Sequence, residues 1–251
     1  MKEKYNPIND GIEVKTFPPL IFEDNSCYYG EWTTDKKFRH GRGIQLYEDN
    51  SKYSGQWAND RPNGFGKLVQ NNGDYYEGNW ANGKFNGHGK LVQKGLTYEG
   101  DFIENKQEGE GKEIWPDGTI YEGHYENGLK SGKGKFIWNE GNTYIGDFAN
   151  NYINGKGIYI FADKRKYEGD WKNNKMDGKG KFEWSDGRFY EGEYKMDKKD
   201  GYGIYTWKDG RIYKGYWKNG KQHGDGEFFN PKMSAWKKGK WEDGKRILWY
   251  N

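Results

Sequence analysis

Nine times along the chain a tyrosine opens a short aromatic–glycine segment that is followed by a pair of glycines one residue apart. Tyr190-Glu191-Gly192-Glu193-Tyr194 followed by Gly201-Tyr202-Gly203 is one copy. The copies begin at Tyr28, Tyr53, Tyr76, Tyr98, Tyr121, Tyr144, Tyr167, Tyr190 and Tyr213, and the step settles at 23 residues where no insertion or deletion intervenes. A fixed period of this length requires stacked copies of one supersecondary unit, each burying its apolar surface against its neighbours.

Within each copy the side chains alternate with period two, and no window keeps a period of 3.6, so each unit is predicted to be a β-hairpin. In the first strand Tyr190, Gly192 and Tyr194 share a face while Glu191 and Glu193 point the other way. In the second, Gly203, Tyr205 and Trp207 share a face, matching Gly180, Phe182 and Trp184 or Gly134, Phe136 and Trp138 elsewhere. Rings from both strands therefore line one surface. The opposite surface carries Glu99, Asp101, Glu168 and Asp170 from first strands and Lys90, Lys112, Lys135 and Lys181 from second strands, a ladder of opposite charges that offsets itself.

Turn chemistry agrees. Three residues past each first-strand ring stand Asp35, Asp60, Gly83, Asn105, Gly128, Asn151, Asn174, Asp197 and Gly220, with Gly244 in a terminal half-unit. These are the residue types that accept a left-handed backbone, and the expectation is one at every position. Asn72-Gly73, Asp117-Gly118, Asp186-Gly187 and Asp209-Gly210 mark hairpin turns between units, with Asp163-Lys164 as the exception. Two extra residues between Trp32 and Gly41 predict a longer first loop.

The glycine pairs are no phosphate cradle, since a strand follows them where a nucleotide-binding loop needs a helix. Missing side chains there would let the rings of the facing strand lie over the backbone. The ends differ from the repeat. Pro18 and Pro19 blunt one edge, with Leu20, Phe22 and Asp24-Asn25 resembling a half-repeat. At the other end Gly239, Trp241 and Gly244 keep the first-strand pattern, but Lys237 replaces the tyrosine. The reading is thus a tail over 1–17 and one array over 18–251 with caps at 18–27 and 236–251. Its fold class is all-β, an elongated, twisted single-layer antiparallel meander of about nine hairpins. At about 4.8 Å per strand such a sheet would run on the order of 90 Å, and strand twist would coil it into a grooved ribbon. The rings expected to line that groove and hold a partner are Trp32, Trp57, Trp80, Tyr125, Trp171, Trp184, Trp207 and Trp217.

Composition narrows the function classes. Only 32% of residues are hydrophobic while 18% are aromatic, so rings must supply most of the burial. With 41 basic and 38 acidic residues interleaved, the net charge of +3 sets up no field that selects nucleic acid. Lysines and rings also fall on opposite faces, against single-stranded nucleic-acid platforms. Cys27 is alone, and no apolar run is long enough to span a bilayer, so a cytoplasmic chain is expected. His40, His88, His124 and His223 are scattered with no ligand or triad spacing. The reading therefore assigns no catalytic residue, no metal and no cofactor.

Tyr76-Glu77-Gly78-Asn79-Trp80 with Gly87-His88-Gly89, and Tyr213-Lys214-Gly215-Tyr216-Trp217 with Gly224-Asp225-Gly226, resemble the membrane occupation and recognition nexus (MORN) repeat, over about nine-tenths of the chain. The resemblance implies a non-catalytic scaffold or adaptor like those of radial-spoke heads, the ciliary axoneme and other cytoskeletal assemblies, binding protein partners through the aromatic groove. The family's name and its lipid-kinase relatives suggest an alternative, a scaffold associated with membrane phospholipid. Basic clusters at Lys164-Arg165-Lys166 and Lys237-Lys238 would serve that alternative. No coiled coil or apolar patch fixes an oligomeric state.

Overall fold

A computed structural model describes residues 10–250, and every regular element in it is a β-strand. The chain forms two compact units, residues 1–129 and 130–251. In the first, strands Cys27–Thr33, Arg39–Leu46, Lys52–Ala58, Arg61–Val69, Tyr75–Ala81, Lys84–Gln93, Leu96–Ile103, Lys106–Ile114 and Ile120–Glu126 each pair antiparallel with the next. In the second, the same meander runs from Leu129–Ile137, whose first residue falls at the boundary, to Lys245–Trp249. The all-β antiparallel hairpin array is thus as the spacing predicts.

One repeat shows why the sequence folds this way. Across the hairpin Tyr167 faces Phe182, Glu168 faces Lys181 and Gly169 faces Gly180. The register then slips before Trp171 faces Met176, so that Asp177, Gly178 and Lys179 bulge opposite the single residue Asp170. The Tyr167 ring lies back over the glycine pair, and a Cβ at Gly180 would overlap that ring. Its hydroxyl donates to the Asp170 carbonyl at 3.0 Å, giving the peptide opposite the bulge a partner. The Asp170 carboxylate in turn accepts the N–H of Lys179, within the bulge, at 2.8 Å. Gly178, the other member of the Gly-x-Gly pair, sits at φ +110°, where a side chain would be strained. The two glycines therefore have different causes: one clears the tyrosine, the other makes the bend.

The same tyrosine hydroxyl bond recurs in all nine repeats, from Tyr28 on the Glu31 carbonyl to Tyr213 on that of Tyr216. All nine tyrosines are buried.

Turns supply the second level of order. Asn59 and Asp60, Asn173 and Asn174, and Met196 and Asp197 all have positive φ at both central residues, the type I′ geometry whose twist matches that of the strands. Nine of the ten expected positions are left-handed. Asp35 is the exception. The two inserted residues shift the apex to Lys36 (φ 56°), and Asp35 instead accepts the Thr33 hydroxyl at 2.6 Å. Each turn also grips the repeat before it: Asp197 donates its N–H to the Met176 carbonyl at 2.9 Å while its carboxylate accepts the Met176 N–H at 2.8 Å. Between repeats the loops close differently. The Trp184 N–H donates to Arg188 O and the Gly187 N–H to Trp184 O, a wider loop ending in one left-handed residue, with Lys164 (φ 71°) serving where glycine is missing.

The ends carry strands where the sequence suggested less. Val14–Thr16 pairs with Glu31–Thr33 and Leu20–Ile21 with Cys27–Tyr28, so the edge of the first hairpin is covered along most of its length. The last part of the expected 1–17 tail therefore belongs to the sheet, while residues 1–9 lie outside those described. At the other end Lys245–Trp249 folds back on Ala235–Glu242, and Trp249 covers Gly239 as a tyrosine covers glycine in each full repeat.

Candidate functional site: an aromatic face

In both units the first-strand rings form a zipper. Each tyrosine meets edge-to-face the ring four residues on and, where described, the corresponding ring of the next repeat. Tyr53 lies 5.0 Å from Trp57 and 5.2 Å from Trp80, and Tyr190 lies 5.2 Å from Tyr194 and 5.3 Å from Trp217. The indole N–H groups of Trp57, Trp80, Trp171 and Trp217 each donate to the second glycine carbonyl of the preceding repeat at 3.0–3.3 Å. This zipper is the core. Trp32, Trp57, Trp80, Tyr125, Trp171 and Trp217 are 1–8% exposed, which leaves them little ring surface to offer a partner. Of the eight rings expected to line a groove, Trp184 and Trp207 alone are half-buried.

These two belong to a second row, built from second strands and the loops after them, and confined to residues 130–250. Phe136, Trp138, Tyr159, Phe161, Phe182, Trp184, Tyr205, Trp207 and Phe228 follow one another with centroids 4.5–6.0 Å apart. Their planes are tilted 38–65° to one another. In the first unit the strand positions of this row hold Gln45, Leu68, Leu91 and Glu113, and the loop positions Tyr47, Gln70, Gln93 and Trp115. Polar pairing replaces ring packing there: Arg39 donates to Gln45 at 2.8 Å and Gln107 to Glu113 at 3.2 Å.

Cations sit on the second unit's row. Arg165, Arg188 and Arg211 lie over Phe161, Trp184 and Trp207 at 4.6–5.4 Å, each bonded by Nε to the turn aspartate two residues earlier at 2.7–2.8 Å. Lys199 Nζ is enclosed by Trp184, Tyr190, Tyr205 and Trp217, 4.4–5.1 Å from their centroids. Burial, reinforced by the nearby Arg188, pulls its ammonium from the usual 10.5 down to about 8. Burial likewise pushes the Tyr167, Tyr190 and Tyr213 phenols well above the ordinary tyrosine range. Neither Lys199 nor the arginine–aspartate clips were singled out from sequence. The recurring Asp-x-Arg after Phe161, Trp184 and Trp207 was the readable signal for the clips.

The opposite face is charged as expected. Lys67 pairs with Glu77 at 3.2 Å, Lys112 with Glu122 at 3.6 Å and Lys156 with Asp170 at 3.8 Å, exposed pairs of small individual worth. The separation of rings from lysines is incomplete, because Tyr202 and Tyr216 stand exposed there, 5.6 Å apart. The basic clusters are matched internally: Arg165 by Asp163, Lys166 by Glu168 and Lys238 by Glu227. His88 lies 3.1 Å from Asp101, His124 3.2 Å from Glu110 and His40 3.1 Å from Asp10. Among the described residues no three His, Cys, Asp or Glu side chains converge as metal ligands would.

An antiparallel array of like hairpins, whose variable residues are displayed on a common aromatic face, defines a repeat-based scaffold or binding module. The MORN repeat family matches nine segments, 28–52, 53–75, 76–94, 98–120, 121–143, 144–164, 167–187, 190–210 and 213–231, and the chain belongs to that family. MORN repeats are in general a non-enzymatic module. No curated protein matches the chain. Among solved structures, the wild-type TCP10 domain of Danio rerio CPAP is 11% identical, with 93% of this chain and 99% of that one covered and a TM-score of 0.36. The Drosophila melanogaster SAS-4 (dCPAP) TCP domain, in complex with a proline-rich motif of Ana2 (dSTIL), is 11% identical over 78% of this chain and 86% of that one, with a TM-score of 0.25. At these scores neither carries weight for this chain.

Proposed function

We propose that this chain is a non-catalytic scaffold of a ciliary axoneme, such as a radial spoke, or of a related cytoskeletal assembly, and that it holds a protein partner on the aromatic face of residues 130–250. One observation supports this reading above the others: that unit keeps a continuous row of rings, most of them half-buried, whose second-strand positions hold Gln45, Leu68, Leu91 and Glu113 in the first unit. The fold does not demand the rings, since both units complete the same hairpins. Half-buried aromatic side chains over a fixed backbone are the usual anchors of protein interfaces. The ciliary or cytoskeletal setting rests on the family resemblance.

Affinity purification of the tagged chain from its source cells, beside Trp184→Ala/Trp207→Ala, tests it. Both rings lie outside the buried tyrosine zipper, so the variant should keep its β circular dichroism. The reading expects axonemal or cytoskeletal proteins to co-purify with the wild type and to be lost with the variant. Reversing the exposed Lys181–Glu183 pair should change recovery much less. Recovery of lipid kinases and vesicle proteins instead, or equal recovery by the folded variant, would overturn it.

A further inference from the structure

One position in the second unit breaks the apolar character of the aromatic face. The residue facing the last ring of the first strand is Ile153, Met176, Lys199 and Gln222 in successive repeats. An isoleucine or methionine suits a place among rings, and Met176 faces Trp171 directly. Lys199 puts an ammonium there instead, with ring faces on four sides.

Ring faces attract a cation but leave its N–H groups without good acceptors, and a half-buried ammonium has three. Among the described residues no carboxylate, carbonyl or hydroxyl accepts a hydrogen bond from Lys199 Nζ. Its neighbours do not supply the missing charge. Arg188 is itself a cation and is clipped to Asp186, burial holds the Tyr190 and Tyr194 phenols above the ordinary tyrosine range, and Tyr205 is buried. Arg165, Arg188 and Arg211 each have an aspartate of their own, whereas among the described residues no carboxylate is paired with Lys199.

We propose that Lys199 is the carboxylate-receiving subsite of this face, and that its occupant is an acidic segment of a partner polypeptide. Apolar side chains of that segment lie on the half-buried Trp184 and Trp207, and one Asp, Glu or C-terminal carboxylate accepts from Nζ. The inference rests on the aromatic-face reading above and adds to it the chemistry of the partner. The charge to be matched is single and recessed between rings, which suits one carboxylate on a flexible chain better than a polyanion. Rings tilted 47–65° across Phe182, Trp184, Tyr205 and Trp207 present oblique faces and edges to aliphatic or prolyl groups, not the parallel platforms that stacked bases require.

The test pans a displayed library of random peptides against the full chain, then measures affinity for the enriched peptides and for copies with each Asp or Glu changed to Asn or Gln. Lys199→Met is the paired protein variant, since Met176 shows that the fold accepts methionine at this register position. The proposal expects wild-type affinity to fall roughly tenfold when the decisive carboxylate becomes an amide. It expects Lys199→Met to lose a similar factor against the acidic peptide and to be indifferent to the amide change. Less than about a twofold effect in either arm overturns it. Peptides that bind without a carboxylate yet are lost with Trp184→Ala/Trp207→Ala sink this inference alone. A wild-type chain that enriches no peptide sinks the aromatic-face reading with it.

Discussion

If Lys199 is kept for a partner and not for the fold, replacing it should stabilise the free protein. Lys199→Met removes an ammonium held at about 8 in place of the usual 10.5. At 1.36 kcal/mol per pH unit that difference corresponds to roughly 3 kcal/mol of penalty on the charged form. The side chain is partly exposed, and solvent screening reduces this to about 1–2 kcal/mol. Lost attraction to the ring faces returns part of that, on the order of 0.5 kcal/mol. The expected net gain for Lys199→Met near neutral pH is therefore about 1 kcal/mol. Its pH dependence is the sharper signature. The folded state holds this proton less tightly than the unfolded chain, so the penalty is present in full below about pH 8. It fades as pH rises through the folded value toward the unfolded one. Urea unfolding of wild type and variant at about pH 7 and about pH 10, with hydrogen exchange on Phe189–Lys195 and Lys198–Thr206 to catch local opening, would measure both quantities. A variant less stable than wild type at neutral pH, or a gain of equal size at both pH values, would refute the reasoning.

Gly180→Ala should cost more than about 3 kcal/mol, because its Cβ would overlap the Tyr167 ring, whereas Gly187→Ala, with no atom within 4 Å and φ +92°, should cost about 1 kcal/mol; thermal melts showing equal losses would contradict this assignment. Burial raises the phenols of Tyr28, Tyr76, Tyr98, Tyr121, Tyr144, Tyr167, Tyr190 and Tyr213. Their contribution is thus whole below the unfolded value of about 10 and is lost above it, so phenolate absorbance and loss of β circular dichroism should rise together. Lys195 faces Lys198 directly across a turn, and Lys195→Glu should stabilise by about 0.5 kcal/mol in low salt, a gain that denaturant titrations should find diminished at high salt.

The hairpins, their faces and nearly every turn were legible because period two, a fixed step and left-handed residue types are local properties of a chain. The sorting of rings into core and surface was not. Trp171 and Trp207 look alike in sequence, each ending a strand's aromatic alternation. Trp171 lies opposite the bulge of its hairpin and packs on the preceding repeat, with its indole N–H on the Gly157 carbonyl, while Trp207 lies in the loop beyond its strand under Arg211. The distinction depends on which repeat lies next to which strand, and a reading made one repeat at a time does not contain it. Lys199 was missed for a related reason. In a sequence with 41 basic residues, one more lysine beside Lys198 carries no signal until the four rings around it are placed.

Comparing repeats within the chain separates what the fold requires from what it leaves free. The tyrosine, the facing glycines and the left-handed turn residues recur because each answers a steric or hydrogen-bonding need of the hairpin, and they say nothing about a partner. The freedom lies at the second-strand and loop positions of the aromatic face and at the residue opposite the last first-strand ring. The first unit fills these with residues that satisfy one another, Arg39 with Gln45 and Gln107 with Glu113. The second fills them with rings left half open and with an ammonium that lacks an acceptor. A surface whose polar groups are matched internally gains little from a ligand, whereas one with an unmatched donor among accessible rings gains both burial and a hydrogen bond. The proposed partner surface therefore falls in residues 130–250, at the positions where the repeat itself imposes least.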